Sequence, residues 1–175
     1  SVLEDENSKK YAFIKTMMAA DGEDYGSLPK GLIPFHYYGC YKATAFEEHL
    51  HEAAAYAAKN DHAALHFTVS PEHKEAFKKE YDTIHASVSN TTGVNFEVSY
   101  SFQKAETDTV AVTMDNKLYR QENGELLFRP GGHGALIENL NDVDADLIFI
   151  KNIDNVLVQD QIQALARSKR ILAGL

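Results

Sequence analysis

The sequence is poor in cysteine and lacks any long apolar run. Cys40 is the only cysteine among the 175 residues, which excludes an internal disulfide bond and fits a reducing compartment. No apolar stretch is long enough to cross a membrane, and residues 1–10 lack the basic-then-apolar order of a secretory signal. We therefore expect a cytoplasmic protein that has no membrane partner.

Positive charge is also scarce. The chain has 17 Lys and Arg against 26 Asp and Glu, and its formal net charge is −9. Such a surface repels phosphate backbones, so nucleic acid is not an expected partner, and local groups have to hold any anionic ligand. A length of 175 residues suits one domain, and we expect a single domain over residues 1–175.

Sequence motifs for zinc sites and nucleophilic catalysis are missing as well. There is no Cys-x-x-Cys and no His-Glu-x-x-His, which argues against structural zinc. On their predicted helices, His49 and His51 point away from each other, and His73 is too far from His85 for a joint site. No Ser–His–Asp triad can be identified from spacing. This absence is consistent with phosphoryl-type transfer, which needs positioning and charge neutralisation rather than a covalent nucleophile.

Hydrophobic periodicity divides the chain into alternating helical and extended segments, an order typical of an α/β fold. Asn123 and Gly124 lie between two short apolar runs and predict a β-hairpin. The predicted helices are a first helix that ends near residues 21–22, then 45–59, 71–86, 135–140 and 160–173. The predicted strands are 64–69, 96–102, 109–114 and 147–150.

Helix starts and apolar faces support these assignments. Thr44 and Glu47 form a capping-box pattern, and Ser70-Pro71 is typical of a helix N-cap followed by proline. In the first helix the shared apolar face is Tyr11, Ile14, Met17 and Met18. In the helix after Thr44 the expected buried face is Phe46, Leu50, Ala53, Ala54 and Ala57.

The segment Pro130-Gly-Gly-His-Gly134 suggests a ligand loop. Its glycines let backbone N–H groups approach a ligand closely, and the following helix start favours anions. Taken alone, the segment is equally a tight turn with His133 at its tip. Asn152-Ile-Asp-Asn155 follows a predicted strand, and Asp154 is either a turn residue or an oxygen ligand for Mg²⁺. The two motifs together favour a ligand site.

These motifs resemble those of nucleotidyltransferases of the UDP-sugar pyrophosphorylase type. That family has a Pro-Gly-His-Gly motif, a helix, and a strand that ends in Asn-x-Asp-Asn. Residues 28–34 resemble its Pro-Lys-x-Leu-x-Pro element, 64–73 resemble its strand, serine turn and helix, and 102–104 resemble its strand that ends in glutamine. The likeness covers residues 28–156. The whole sequence is similar to a bacterial domain family of unknown function that shares these motifs.

The resemblance implies a nucleotide-diphosphosugar transferase-like (Rossmann-like) fold, with a mixed sheet between helices and a site at the carboxyl ends of its strands. It also implies that a sugar 1-phosphate attacks the α-phosphorus of a nucleoside triphosphate, with UTP favoured, and that pyrophosphate is released. The implied roles are charge neutralisation by Lys30, sugar-phosphate contact by His133, base recognition by Gln103 and Gly132, further substrate contacts by Gly131, Gly134 and Asn152, and Mg²⁺ binding by Asp154.

Simpler interpretations stay open for several of these side chains. Lys30 is either a solvated lysine or, because it lies between two prolines, a positioned phosphate ligand. Gln103 is either a surface residue at a strand end or a partner of a uracil-type edge. Ser70 is favoured as a helix cap over a ligand contact. His36 follows the lysine element and either faces the same cleft or is a packed or surface histidine.

One element of the resembled family is missing. Residues 1–28 contain nothing like its glycine-rich phosphate loop, which ends in an arginine. The loop is absent from this chain, or it has been replaced, or the nucleotide is no longer turned over. We favour the first and expect the chain to be part of a longer protein. The alternatives to an enzyme are a nucleotide- or sugar-phosphate-binding module without turnover and a purely structural domain.

Overall fold

A computed structural model describes residues 5–174 and has a mixed α/β architecture. The helices are α1 (Glu6–Met18), α2 (Ala45–Tyr56), α3 (Lys74–Thr92), α4 (Ile137–Asn141) and α5 (Ile162–Ala173). The strands are β1 (Pro34–Tyr37), β2 (Lys42–Thr44), β3 (His62–Thr68), β4 (Asn95–Ser101), β5 (Thr109–Val110) and β6 (Phe128–Arg129). Short 3₁₀ turns occur at Lys30–Leu32, Pro71–His73, Ala105–Thr107, His133–Leu136 and Gln159–Gln161.

Helix α2 lies at the centre of the described structure and packs against α3, α5 and β3. It begins at the predicted capping residue, because the Thr44 hydroxyl accepts a hydrogen bond from the Glu47 N–H at 3.1 Å. The side chain thereby satisfies one of the free donors of the first turn. Phe46 and Leu50 on its apolar face are fully buried, so both the start of this helix and its buried face are confirmed.

Strands β3 and β4 are parallel, in a continuous register from His62 opposite Asn95 to Thr68 opposite Ser101. Helix α3 connects them, as parallel strands require a crossover. Inward-facing Phe67 packs against Phe46 with ring centroids 4.8 Å apart. This β–α–β unit and α2 therefore form the apolar layer that carries the rest of the chain.

The sheet prediction is only partly correct. The described residues form three separate two-stranded sheets rather than one mixed sheet, and a specific Rossmann-like arrangement is not shown. The predicted strand 147–150 is wrong, since these residues have no strand partner and Ile150 is 67% exposed. An apolar run forms a strand only where a neighbour accepts its backbone hydrogen bonds. Side-chain contacts hold this segment instead, with Phe149 against Tyr56 at 5.0 Å.

The region 109–129 is an antiparallel meander with little regular strand. Only β5 and β6 pair as strands, while isolated bridges join Val112 to Leu118 and Arg120 to Leu126. The predicted Asn123-Gly124 turn is confirmed, because the Gln121 N–H donates to the Glu125 carbonyl across it at 2.9 Å. The predicted strand 109–114 is shorter than expected, since the second half contributes only a single bridge.

The remaining helix predictions hold with shifted boundaries. The segment after Gly134 begins as a 3₁₀ turn and becomes α-helical only at Ile137, and α5 covers most of the predicted final helix. Ser70 occupies the predicted N-cap position before Pro71, but its side chain makes no capping hydrogen bond. Within the described residues, no helix is both long and apolar enough to cross a membrane.

The apolar face predicted for α1 is not buried. None of the residues of α1 is buried, and Tyr11 and Ile14 are 70% and 57% exposed. The chain as a whole exposes 12331 Å², whereas a compact monomer of 19.5 kDa exposes roughly 8,500 Å² by the usual scaling with mass. The fold therefore leaves much apolar surface without a covering layer.

A charged pair is buried beneath the C-terminal part of the chain. The Lys151 ammonium donates to Glu52 on α2 at 2.5 Å, and their side chains are 9% and 0% exposed. The Tyr56 hydroxyl and the Leu157 N–H also donate to Glu52, both at 3.0 Å. Because the carboxylate is surrounded by donors, its burial is compensated, and residues 151–157 are fixed to α2.

Replacing Lys151 with methionine is expected to lower the free energy of unfolding by about 3–5 kcal/mol, because Glu52 would stay buried without its cation. Lys78→Met is the matched control, since Lys78 contacts Glu75 at 2.7 Å on the surface and exposed pairs contribute about 0–1 kcal/mol. Urea unfolding of both variants measures the difference. Equally small losses would show that the buried pair does not hold the segment.

Candidate functional site

The structure brings together two of the predicted site residues from opposite ends of the chain. The Lys30 ammonium donates to the Asp154 carboxylate at 3.0 Å. Lys30 begins the 3₁₀ turn after Pro29, and the next residue, Gly31, is buried against Phe77 and Ile153. A Cβ at Gly31 would lie 2.7 Å from the Phe77 ring and 3.2 Å from Ile153. This close approach places the lysine beside the aspartate.

Asp154 lies in a turn that α2 holds from below. The Asn155 N–H donates to the Asn152 carbonyl at 3.0 Å, which closes residues 152–155 into a turn. His49 of α2 is buried and donates through Nε2 to the Ile153 carbonyl at 3.1 Å. The turn interpretation of Asp154 is therefore correct as geometry. It leaves the carboxylate exposed, so a ligand role is compatible with the same turn.

Lys30 and His133 both affect the ionisation of Asp154. The ammonium of Lys30 holds the pKa of the Asp154 carboxyl below its usual value, and the positive form of His133 acts in the same direction. His133 is exposed at the start of its 3₁₀ turn. The charged groups of the candidate site are thus an ionised carboxylate, the Lys30 ammonium that contacts it and an exposed imidazole that acts on it electrostatically.

The three glycines of the predicted loop differ in their surroundings. A Cβ at Gly131 would lie 2.9 Å from both the Ala135 Cβ and the Thr107 carbonyl oxygen, so the loop needs glycine there to pack. A Cβ at Gly132 or Gly134 would meet nothing within 4 Å. Gly131 therefore has a packing role, while the backbone at Gly132 and Gly134 is open to a ligand.

Gln103 lies beside the same loop. Its side-chain nitrogen is 3.7 Å from where a Cβ of Gly131 would be, and it donates to the Asp108 carboxylate at 3.0 Å. This bond uses one of the two amide N–H donors, so the second N–H and the side-chain carbonyl are left to contact a base. Three links connect the predicted residues, and we call the connected set the row: Lys30 contacts Asp154, His133 acts on the Asp154 carboxyl, and Gln103 lies beside Gly131.

Helix α4 is anchored next to this row. Asn139 is buried and donates to the Phe102 carbonyl at 2.7 Å and to the Ser101 hydroxyl at 2.9 Å. Lys104 contacts Asp142 at 2.9 Å, which raises the pKa of Lys104. These contacts tie the end of β4 to the segment that follows the glycines, so Gln103 and Gly131 stay close.

Metal-binding chemistry at this site rests on one carboxylate. The residues from 5 to 174 include no group of three His, Cys, Asp or Glu placed to hold a metal ion. Mg²⁺ commonly binds one or two carboxylates together with substrate phosphates. A Mg²⁺ ion at Asp154 would therefore have to take its other ligands from bound phosphate or from water.

The buried acidic residues of α2 were missed in the sequence. Glu48 is fully buried and accepts from His36 Nδ1 at 2.8 Å and from the Tyr38 hydroxyl at 2.5 Å. His36 therefore belongs to an internal network and does not face the cleft. Burial and the neighbouring carboxylate raise the pKa of Tyr38. The sequence did contain a signal for this burial. Between Phe46 and Ala53 there are three glutamates and two histidines, and on a helix these polar residues cannot all lie on the face opposite the apolar ones.

Two surface clefts lie away from Lys30 and Asp154. A cleft of about 360 Å³ lies between α3 and β4, and one of about 390 Å³ lies beside the Asn123 turn. Neither contains Lys30 or Asp154. In the candidate site, Lys30, Asp154 and His133 are exposed.

Comparison with known proteins identifies the family. Residues 2–175 match the model of the family described as "Domain of unknown function (DUF4301)", and the chain belongs to that family. A search of curated proteins and a search of solved structures gave no match. The expected similarity to a domain family of unknown function is therefore confirmed, and the finer likeness to UDP-sugar pyrophosphorylases stays a prediction.

Alanine substitutions are expected to show that Gly131 is needed for packing of the loop and that Gly132 is not. Gly131→Ala should cost about 1–3 kcal/mol, because the added methyl forces a backbone oxygen to move. Gly132 has φ −75°, so Gly132→Ala should be neutral or stabilise by up to about 1 kcal/mol. Chemical denaturation of both variants measures this. Equal destabilisation would show that the loop is packed differently.

Stability should fall in mild acid through His49. Burial lowers the pKa of His49 below its usual value of 6.5, so the unfolded chain binds the proton more tightly. The stabilisation is complete above about pH 6.5 and is lost as the pH falls through the lower folded-state value. His49→Gln should reduce this loss between about pH 7 and pH 5 in urea titrations. An unchanged pH profile in the variant would contradict the assignment.

Proposed function

We propose that this DUF4301 domain binds a nucleoside triphosphate and a sugar 1-phosphate and transfers the nucleotidyl group between them, with UTP as the favoured nucleotide and pyrophosphate as the released product. The observation that carries the proposal is the Lys30–Asp154 contact at 3.0 Å. A candidate phosphate-binding cation and a candidate metal-binding carboxylate from distant parts of the chain meet in this contact, and His133 of the glycine loop acts on the same carboxylate. The implied fold is that of the nucleotide-diphosphosugar transferases.

The contact between Lys30 and Asp154 is suited to an exchange of partners. Both side chains are largely exposed, at 71% and 46%, and exposed ion pairs contribute little to stability. A phosphate that carries Mg²⁺ offers Lys30 an anion and Asp154 a cation at the same time. The ligand therefore replaces one weak contact with two charge-assisted ones.

Mg²⁺ would be held by Asp154 together with the ligand phosphates. When bound, the metal neutralises charge that develops on the transferred phosphoryl group. The chain's own groups then divide the remaining work. Lys30 contacts phosphate, His133 contacts the sugar phosphate, and the open backbone at Gly132 approaches the nucleotide. Asn152 and Gly134 make further substrate contacts, and the side-chain amide of Gln103 recognises the base. Positioning of two anions is the main catalytic contribution expected in this chemistry.

A binding module without turnover is the second candidate. It is favoured by the absence of a glycine-rich phosphate loop from residues 1–28 and by the single carboxylate of the donor set described above. In this alternative the same row binds the nucleotide or sugar phosphate, but no pyrophosphate is released.

Binding is tested with the purified chain and a panel of Mg²⁺ with UTP, with other triphosphates, with UDP-glucose and with glucose 1-phosphate. Isothermal titration should give the tightest binding for Mg²⁺ with UTP. Asp154→Asn and Lys30→Met should each weaken it about 10-fold or more, because each removes a charged contact to the ligand. Gly132→Ala should weaken binding without lowering stability.

The matched controls are Asp115→Asn and Lys117→Met. Asp115 and Lys117 form a similarly exposed pair at 2.8 Å in the meander, neither belongs to the predicted site, and their loss should leave binding unchanged. Release of pyrophosphate from UTP and glucose 1-phosphate separates the enzyme from the silent binder. Absence of binding for every ligand in the panel would refute both candidates.

A further inference from the structure

A groove away from the candidate site runs between α3 and the free edge of β4. Its volume is about 360 Å³. Lys74, Lys78, Tyr81 and Asp82 line it from the helix, and Val98 and Tyr100 line it from the strand. Nothing in the proposed nucleotide chemistry uses these residues, so the groove needs its own explanation.

The register of β4 shows which of its backbone groups point into the groove. The Asn95 N–H donates to the Asp61 carbonyl, and the Ser101 carbonyl accepts from the Val69 N–H. These two bonds show that the backbone N–H and C=O groups of the odd-numbered residues of β4 point toward β3. In a parallel pair the residues between them direct their N–H and C=O groups to the other side. The backbone N–H and C=O groups of Val98 and Tyr100 therefore point away from β3.

The chain itself satisfies the two ends of this edge. The Tyr81 hydroxyl donates to the Phe96 carbonyl at 2.7 Å, and the Asn139 amide donates to the Phe102 carbonyl at 2.7 Å. Between these ends, the outward groups of Val98 and Tyr100 have no partner in the part of the chain that the structure describes. The edge of β4 is therefore free at Val98 and Tyr100. Helix α3 lines the groove beside it, and the Phe96 and Phe102 carbonyls at its two ends already have partners.

We propose that this groove is a docking site for an extended peptide segment that carries an acidic side chain, which adds a strand to the free edge of β4. An exposed edge is a template for another strand, and proteins commonly block it with charges, proline or bulges. Here Val98 and Tyr100 provide none of these. The closed ends limit the added strand to a few residues.

The charges along α3 give the acidic preference and its position. Lys74 is the first residue of α3, where the helix end is partly positive, and its ammonium lies 5.4 Å from the centre of the Phe102 ring. Lys78 follows one turn later, but its ammonium already contacts Glu75 at 2.7 Å, so Lys74 provides the main positive charge. Asp82 lies at the opposite end of the groove, next in sequence to Tyr81, whose hydroxyl donates to the Phe96 carbonyl. An acidic side chain is therefore favoured beside Lys74 and disfavoured beside Asp82.

The interior of the groove suits an apolar residue next to the acidic one. The Tyr100 ring packs beside Phe67 and Phe77, and burial raises the pKa of its hydroxyl to about 12. The hydroxyl therefore stays protonated and has no hydrogen-bond partner among the described residues. Alternate side chains of an added strand point to opposite faces, so one can contact Val98 and Tyr100 while the next stays in solvent.

The test is a selection of random acetylated hexapeptides displayed on beads against the folded chain, followed by fluorescence polarisation with the enriched peptides. Enriched peptides should contain β-branched residues and one Asp or Glu. Val98→Pro removes an outward N–H without touching the β3 pairing, and it should weaken binding about 10-fold. Lys74→Glu should weaken it about fivefold, while Lys79→Glu, on the same helix but outside the groove, should not.

A second measurement does not depend on the variants. The enriched peptide should slow hydrogen exchange at the Val98 and Tyr100 amides and leave the amides of Lys30 and Asp154 unchanged. The proposal is overturned if no peptide is enriched, if Val98→Pro binds normally, or if these amides are not protected. It is also overturned if sedimentation shows that the edge pairs with a second copy of the chain. None of these outcomes depends on nucleotide binding.

Discussion

The buried contact between Glu52 and Lys151 is the interaction on which the candidate site depends. Residues 147–157 form no strand, so no sheet fixes the turn that carries Asp154. Glu52 holds this segment through the Lys151 ammonium and the Leu157 N–H, and His49 holds it through the Ile153 carbonyl. Breaking this contact would leave the buried Glu52 carboxylate without its cation, which costs free energy. The contact therefore keeps residues 151–157 in place on α2. It places Asp154 within reach of Lys30, which α2 and α3 position independently.

The site and the groove show two different uses of incomplete packing. In the site, the charged groups of Lys30 and Asp154 are exposed, their mutual contact is weak, and the proposed ligand would replace it. In the groove, backbone groups of Val98 and Tyr100 have no partner among residues 5–174, and the proposed added strand would satisfy them. Parallel sheets are usually covered on both faces. A parallel sheet of only two strands therefore depends on neighbouring elements to cover its apolar faces. The large exposed area of the chain agrees with surfaces that are suited to further contacts.

Sequence reasoning worked where the physical cause was local. The Thr44 cap, the Asn123-Gly124 turn and the amphipathic pattern of α2 depend on neighbours a few residues away, and each is confirmed. It failed where a distant partner decided the outcome. The apolar run 147–150 has the composition of a strand but lies beside no strand. The face of α1 has the spacing of a buried face, but no residue of the helix is buried by the part of the chain that the structure describes.

The sequence by itself determined the mixed α/β class, most helix positions and the two motifs that contain Asp154 and His133. It also identified Lys30 as a candidate partner of phosphate. Only the tertiary structure decided that Lys30 contacts Asp154, since 124 residues separate them, and that Glu48 and Glu52 are buried. The reason is physical: spacing reports which side chains share an element, whereas charge pairing and desolvation depend on which elements meet, and one-dimensional patterns do not contain that information.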